Sequence, residues 1–157
     1  MTPFVRPFGQ SFFALTRYGM QLITVVATWF LNIWLGERVA LNRKKNKVPL
    51  PLMYAHDGIE DGKNAGGLDH NKRQRGHQNM LESIADVYVG MLIAGLHRPV
   101  ITAVLNVLFI VGRALYAVFY SQAPKRRVYG SVFFLVARIG HLYIVGEIIY
   151  ALLQSKA

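Results

Sequence analysis

The chain has 157 residues, of which 53% are hydrophobic, and its 18 Lys and Arg against 8 Asp and Glu give a formal net charge of +10. It contains no cysteine, which excludes disulfide bonds, a cysteine nucleophile and a thiolate metal site. The positive charge does not indicate a nucleic-acid partner, because the basic residues lie in connectors between apolar runs rather than beside stacking aromatic residues.

Four apolar stretches are each long enough to cross a membrane, which takes about 20 residues. They predict a single all-α membrane domain over residues 1–157. The first stretch is longer than the core of a signal peptide and lacks a small-residue cleavage site, so we expect it to remain as a spanning helix. The predicted helices cover about 12–45, 74–96, 99–121 and 128–153.

The connectors set the order and orientation of these helices. Short turns at Arg98-Pro99 and at 123–127 predict antiparallel neighbours and hence an up-down bundle. The first connector is long, and its glycine-rich part at about 55–72 is predicted to be a flexible loop. Twelve Lys and Arg lie on the side of the membrane that holds this connector and three on the other side. The long connector is therefore predicted to be cytosolic.

Polar residues form one stripe on the second predicted helix and another on the third. At 100° per residue, four residues of the second helix fall within about 60° of one another; they are Arg75, Asn79, Glu82 and Asp86. The stripe of the third helix contains Arg113, Tyr116 and Tyr120, joined by Arg127 if helix persists past Pro124. We expect the two stripes to face each other or an adjacent subunit.

Two interpretations of these stripes compete. A single interhelical pair is most simply a packing lock worth about 0.6 to 2 kcal/mol. Several ionisable groups favour a functional site, because each charge costs about 2.5 kcal/mol or more near the bilayer centre. Counted in residues from the cytosolic end of each predicted helix, Glu82 lies at about the same depth as Arg113, and Asp86 at about the same depth as Arg138. These matching depths predict two ion pairs, Glu82 with Arg113 and Asp86 with Arg138. His77 lies at the rim, where it either contacts a polar ligand or is solvated.

Two motifs carry a resemblance to a known family. The first is Arg75-Gly76-His77-Gln78-Asn79-Met80-Leu81-Glu82, and the second is Val111-Gly112-Arg113-Ala114-Leu115-Tyr116-Ala117 followed by Tyr120. With Asn42-Arg43-Lys44-Lys45 and Pro51-Leu52-Met53-Tyr54, the pattern resembles the MAPEG family, the membrane-associated proteins of eicosanoid and glutathione metabolism. The likeness covers about Val39 to Gly130.

The resemblance implies a protomer of four transmembrane helices, assembly as a homotrimer, glutathione as co-substrate and no metal. By motif position, the residues that would bind glutathione are Arg75, His77, Asn79, Glu82, Arg113, Tyr116 and Tyr120. Arg127 and Arg43 are the candidate catalytic cations beside the sulfur; Arg127 is favoured, and Arg126 could take its position after a shift of one residue.

The implied function is that of a glutathione transferase, with glutathione-dependent peroxidase activity as a second possibility. Its partners would be a lipophilic electrophile or lipid hydroperoxide and membrane lipid, in the endoplasmic reticulum or, alternatively, the mitochondrial outer membrane. The family resemblance also extends to lipoxygenase-activating proteins, so a non-catalytic lipid-binding scaffold is the alternative. Short connectors and the lack of an inverted repeat disfavour a channel or transporter.

One departure from the family pattern follows the motif glutamate. Relatives commonly have an aromatic residue and a proline there, whereas this chain has Ser83, Ile84 and Ala85. The departure predicts the loss of a tyrosine contact and of a helix kink.

Overall fold

The computed structural model describes residues 8–56 and 64–155, with only the backbone for 8–15 and 17. It is a bundle of four long helices with a short 3-10 helix, η1, before the last of them. The elements are α1 Phe8–Lys45, α2 Ala65–His97, α3 Pro99–Gln122, η1 Pro124–Arg127 and α4 Val128–Gln154. All four α-helices are long and apolar enough to cross a membrane. The predicted four-helix membrane bundle is therefore confirmed.

The second helix begins at Ala65, well before the predicted boundary at 74. The prediction of a loop over 55–72 is thus wrong from Ala65 onward, while residues 57–63 lie outside the described part of the chain. The local glycine content was misleading because capping and tertiary contacts hold the first turns in a helix. Asn64 caps the helix by accepting a hydrogen bond from the backbone N–H of Gly67 at 2.6 Å.

Residues 47–56, which we call the strap, follow α1 and are held by side chains at both sides. Arg43 of α1 donates to the carbonyl of Leu52 at 2.5 Å. Asn71 of α2 forms two hydrogen bonds with the backbone of Ala55, at 2.8 and 2.9 Å. His70, also on α2, lies 3.1 Å from the carbonyl of Met53 through its Nε2 atom. These contacts fix the strap against the beginning of α2.

The bundle is organised around α3, which packs against α1, α2 and α4. Its apolar interior includes Phe109, Met80 and Met91, all fully buried. A polar chain also crosses the interior: the Asn106 amide donates to Thr24 Oγ1 at 2.7 Å, and His141 Nε2 lies 3.0 Å from Asn106 Oδ1. These bonds connect α1, α3 and α4, and such interhelical bonds contribute about 0.6 to 2 kcal/mol each.

The closest approach of α3 and α4 depends on two glycines. A Cβ added at Gly112 would lie 2.6 Å from the backbone nitrogen of Phe134 and 2.8 Å from Phe133 Cβ. A Cβ added at Gly130 would collide with the backbone of Tyr116 and Gly112. Small residues allow two helix backbones to approach this closely in a membrane. The contact positions the part of α3 that carries Arg113 against α4.

We expect Gly112→Ala to lower the free energy of unfolding by about 1 to 3 kcal/mol, as overpacking does in other cores. Alanine is the better helix former by about 1 kcal/mol, so the loss must come from the collision with α4. The measurement is unfolding of the protein in mixed micelles with increasing denaturing detergent. Gly146→Ala is the matched control, because its added Cβ meets no atom of the described residues within 4 Å. Equal stabilities of the two variants would contradict the close approach.

Candidate functional site

The polar stripe of α2 forms a hydrogen-bonded cluster near the connector face, by which we mean the side of the bundle with the end of α1, the beginning of α2 and η1. Arg75 donates to Glu82 at 2.8 Å, two helical turns further on. The Asn79 amide donates to the other Glu82 oxygen at 3.4 Å. The Arg75 and Glu82 side chains remain 47% and 45% exposed. The cluster therefore presents both a cation and a carboxylate to an incoming ligand.

The α3 stripe reaches this cluster through Arg113, which is 2% exposed. Its guanidinium donates to Asn79 Oδ1 at 2.7 Å and to the Asn79 carbonyl at 3.1 Å. A further hydrogen bond goes to the hydroxyl of Ser83. The two stripes thus meet, and Asn79 is the residue that connects them.

The predicted ion pair between Glu82 and Arg113 does not form, and the prediction is wrong. Depth along the helices was matched correctly, but Arg113 is turned into the bundle toward Asn79 and Ser83, whereas Glu82 lies on the outer part of the stripe. Arg75 is on the same face of α2 as Glu82 and pairs with it instead. Glu82 therefore belongs to the exposed side of the cluster.

Aromatic rings surround the α3 side of the cluster. The Arg113 guanidinium carbon is 4.2 Å from the ring centroid of Phe134 on α4. Tyr116 packs edge-on against Phe134, with ring centroids 5.8 Å apart, and stacks on Tyr120 at 5.6 Å. Cation–π contacts of this kind stabilise a desolvated guanidinium by about 2 kcal/mol. The rings therefore keep Arg113 in place and align the two tyrosines along α3.

Three of the other predicted site residues lie apart from the cluster within this chain, whereas the fourth, Arg127, lies within electrostatic range of Tyr116. Arg43 bonds to the strap. Arg126 is exposed and donates to Gln122 at 3.2 Å, and Arg127 is exposed on η1. The His77 ring faces α1, where its Cε1 would lie 3.4 Å from a Cβ added at Gly36. His77 cannot share the face of Arg75, because two residues along a helix correspond to a rotation of about 200°.

Two residues that contact the cluster, Ser83 and Tyr54, are absent from the predicted site residues. Ser83 was noted only as a departure from the family pattern, yet its hydroxyl bonds to Arg113; its position four residues after Asn79 was a usable signal. Tyr54 of the strap donates to Gln78 Oε1 and interacts with Arg75. Helical spacing could not have indicated Tyr54, because this residue lies in the non-helical strap, which places it beside α2.

The deeper ion pair of the stripe forms as predicted, with Arg138 of α4 donating to Asp86. Its side chains are nevertheless 38% and 51% exposed, respectively. They border a groove between α2 and α4 that Gly90 and His141 also line. Lipid tails cannot solvate charges at this depth. The exposed polar stripe therefore extends from Arg75 to the Asp86–Arg138 pair.

Comparison with known proteins identifies the family. The model of the MAPEG family matches residues 21–150, which is most of the chain. An uncharacterised protein of the cyanobacterium Synechocystis is 31% identical over 100 residues, covering 63% of this chain and 72% of that protein. The match includes the helices that build the polar cluster, and this integral, multi-pass membrane chain belongs to the MAPEG family.

Proposed function

We propose that this protein is a membrane-bound glutathione transferase, similar to microsomal glutathione S-transferase 3, that activates the glutathione thiolate for conjugation to lipophilic electrophiles. A second proposed activity is the glutathione-dependent reduction of lipid hydroperoxides. The observation that carries the proposal is the convergence of Arg75, Asn79, Glu82 and Arg113 in one hydrogen-bonded cluster. The family contains both glutathione transferases and non-catalytic activating proteins, and the charges of this cluster support the first of these.

The cluster matches the charges of glutathione, which has two carboxylates and an ammonium group. The exposed Arg75 guanidinium can bind a carboxylate through two parallel hydrogen bonds. Glu82 can accept from the ammonium, and binding would then exchange the Arg75–Glu82 bond for bonds to the ligand. Arg113 has the supporting task of holding Asn79 in position, since it bonds to both the side chain and the carbonyl of that residue. Tyr116 and Tyr120 provide neutral hydroxyl groups along the adjacent helix.

The chemical step needs a thiolate, and a reference thiol pKa of about 8.5 leaves only about 3% ionised at pH 7. Lowering that pKa by about two units takes some 2.7 kcal/mol and raises the ionised fraction to roughly three quarters. A guanidinium beside the sulfur can provide this stabilisation. We assign the role to Arg127 first, because its exposed side chain lies on η1, directly after the helix that carries Tyr120. Arg43 is the second candidate, and Arg126 could replace Arg127.

A homotrimer is part of the proposal, with glutathione bound between neighbouring protomers at the cytosolic side. The exposed charges of the α2 stripe support it, because a second copy of the chain could cover them where lipid tails cannot. Arg43 bonds to the strap, away from the cluster of its own protomer, and would serve a site in a neighbouring protomer. The lipophilic substrate would enter sideways from the bilayer. We place the trimer in the endoplasmic reticulum, with the mitochondrial outer membrane as the alternative.

The competing function is a lipid-binding scaffold of the lipoxygenase-activating type. It requires no thiolate, so it would not need the combination of Arg75, Glu82 and Arg127. Purified protein should therefore conjugate glutathione to a model electrophile and should be assayed separately with a fatty-acid hydroperoxide. Absence of both activities together with absence of glutathione binding would favour the scaffold.

We expect Arg127→Ala to lower kcat/KM for conjugation at pH 7 by about 25-fold, the ratio of the ionised thiol fractions given above. The loss should shrink as the pH of the assay rises toward 9, because the thiol then ionises without assistance. Arg43→Ala tests the second candidate in the same way. If neither variant loses activity at pH 7, thiolate activation by these arginines is wrong.

A further inference from the structure

A second cationic site lies in the groove between α1 and α2 on the connector face, on the opposite side of α2 from Arg75. It contains Arg38 and Lys45 of α1 and Arg73 of α2. Arg73 pairs with Asp69 at 3.2 Å, and Lys45 acts on the same carboxylate electrostatically. Arg38 lies within electrostatic range of both Arg73 and Asp69. Three cations thus surround one carboxylate.

The carboxylate of Asp69 already accepts hydrogen bonds from two neighbouring side chains. The Asn42 amide donates to Asp69 Oδ2 at 2.5 Å, and Arg73 donates to both oxygens at 3.2 and 3.3 Å. Glu37 is exposed and lies about 100° around α1 from Arg38. Among the residues that the structure describes, Asp69 is the carboxylate within electrostatic range of Arg38, and its oxygens are already bonded to Asn42 and Arg73.

Arg38 is the unusual member of this group. Its guanidinium carbon lies 4.8 Å from the ring centroid of Trp34, and it makes no hydrogen bond to any residue that the structure describes. It is half-buried in the groove. A guanidinium presents five N–H donors in a planar fork that matches the oxygens of a phosphate group. Arg38 is thus arranged to receive an anion.

The surroundings of Arg38 indicate the kind of anion. The residue lies seven positions before the end of α1, or about 10 Å along the helix axis, where lipid headgroups meet the bilayer. Trp34 and Phe30 follow on the same side of α1, deeper in the membrane, and are 40% and 62% exposed. A lipid with an anionic headgroup and an apolar tail fits this arrangement, in which a cationic groove borders exposed apolar side chains.

We propose that the groove formed by Arg38, Lys45 and Arg73 binds the phosphate of an anionic phospholipid, whose acyl chain lies along Trp34 and Phe30. Basic pockets between membrane helices recognise anionic headgroups through charge-assisted hydrogen bonds. The guanidinium of Arg38 faces the phosphate, while Lys45 and Arg73 add positive charge around it. The site is independent of the glutathione cluster, because the two lie on opposite faces of α2.

Native mass spectrometry of the purified protein, titrated with phosphatidylglycerol and with phosphatidylcholine of the same acyl chains, tests the proposal. We expect preferential retention of phosphatidylglycerol, and a loss of affinity of about fivefold or more in Arg38→Gln. Lys44→Gln is the matched control: it removes one charge from the same helix end, but Lys44 is exposed and about 120° around α1 from Arg38. Lys45→Gln, at an exposed position in the groove, gives an independent variant if Arg38→Gln does not fold.

Three results would overturn the assignment. The first is equal retention of the two lipids. The second is an equal loss in Lys44→Gln and Arg38→Gln, which would mean diffuse attraction to the basic helix end. The third is displacement of the bound lipid by millimolar inorganic phosphate with the same dependence on Arg38, which would assign the groove to a soluble anion.

Discussion

Replacing Arg113 with methionine is expected to cost about 2 to 4 kcal/mol of the free energy of unfolding. Arg113 is almost fully buried and donates three hydrogen bonds to α2, two to Asn79 and one to Ser83. Methionine keeps much of the length but leaves these acceptors without their donor, and each unsatisfied buried group costs about 1 to 3 kcal/mol. Unfolding in mixed micelles of mild and denaturing detergent measures the loss.

Arg126→Met is the control for this experiment, because it makes the same substitution at an exposed arginine whose hydrogen bond is to Gln122 one turn away. Its effect should stay within about 0.5 kcal/mol, as is usual at the surface. A double-mutant cycle between Arg113→Met and Ser83→Ala should give a coupling energy of about 0.5 kcal/mol or more. Additive effects in the cycle would contradict the contact between Arg113 and Ser83.

Replacing Glu82 with glutamine is expected to weaken glutathione binding by about 2 to 3 kcal/mol, or roughly 30- to 150-fold in the dissociation constant. The glutamine keeps the size of the side chain and can still accept a hydrogen bond. It loses the negative charge that would neutralise the ammonium group of glutathione, and it leaves Arg75 without its ion-pair partner. Isothermal titration calorimetry with glutathione provides the dissociation constants.

Glu147→Gln is the matched control for Glu82→Gln. Glu147 pairs with Arg98 at 3.1 Å at the end of the bundle away from the connector face. The same neutralisation there should leave the dissociation constant for glutathione unchanged. If the two variants bind glutathione as tightly as each other, Glu82 has no part in recognition.

Helical periodicity was sufficient to predict the stripes of this site. The 100° spacing placed Arg75, Asn79 and Glu82 on one face of α2, and the structure joins them by hydrogen bonds. Matching depths identified the partners Asp86 and Arg138. The stripe is predictable because a long helix has a fixed geometry that does not depend on its neighbours. The Asp86–Arg138 pair additionally requires that α2 and α4 turn these two residues toward each other, as they do.

The predictions that failed depend on tertiary contacts. Spacing along two helices could not distinguish Glu82 from Asn79 as the partner of Arg113, because both lie on the same stripe and the choice depends on how α3 is rotated against α2. The early start of α2 depends on the cap at Asn64 and on contacts of the following turns with α1 and the strap. Tyr54 reaches the cluster through the strap, whose path no periodic pattern describes.

The central claim is that the cluster between α2 and α3 binds glutathione, and a structure of the protein with glutathione bound tests it most directly. We expect the tripeptide beside Arg75, Asn79 and Glu82, with its sulfur at hydrogen-bonding distance from a guanidinium of Arg127 or Arg43. Glutathione bound at any other place, or a sulfur remote from every arginine, would contradict it.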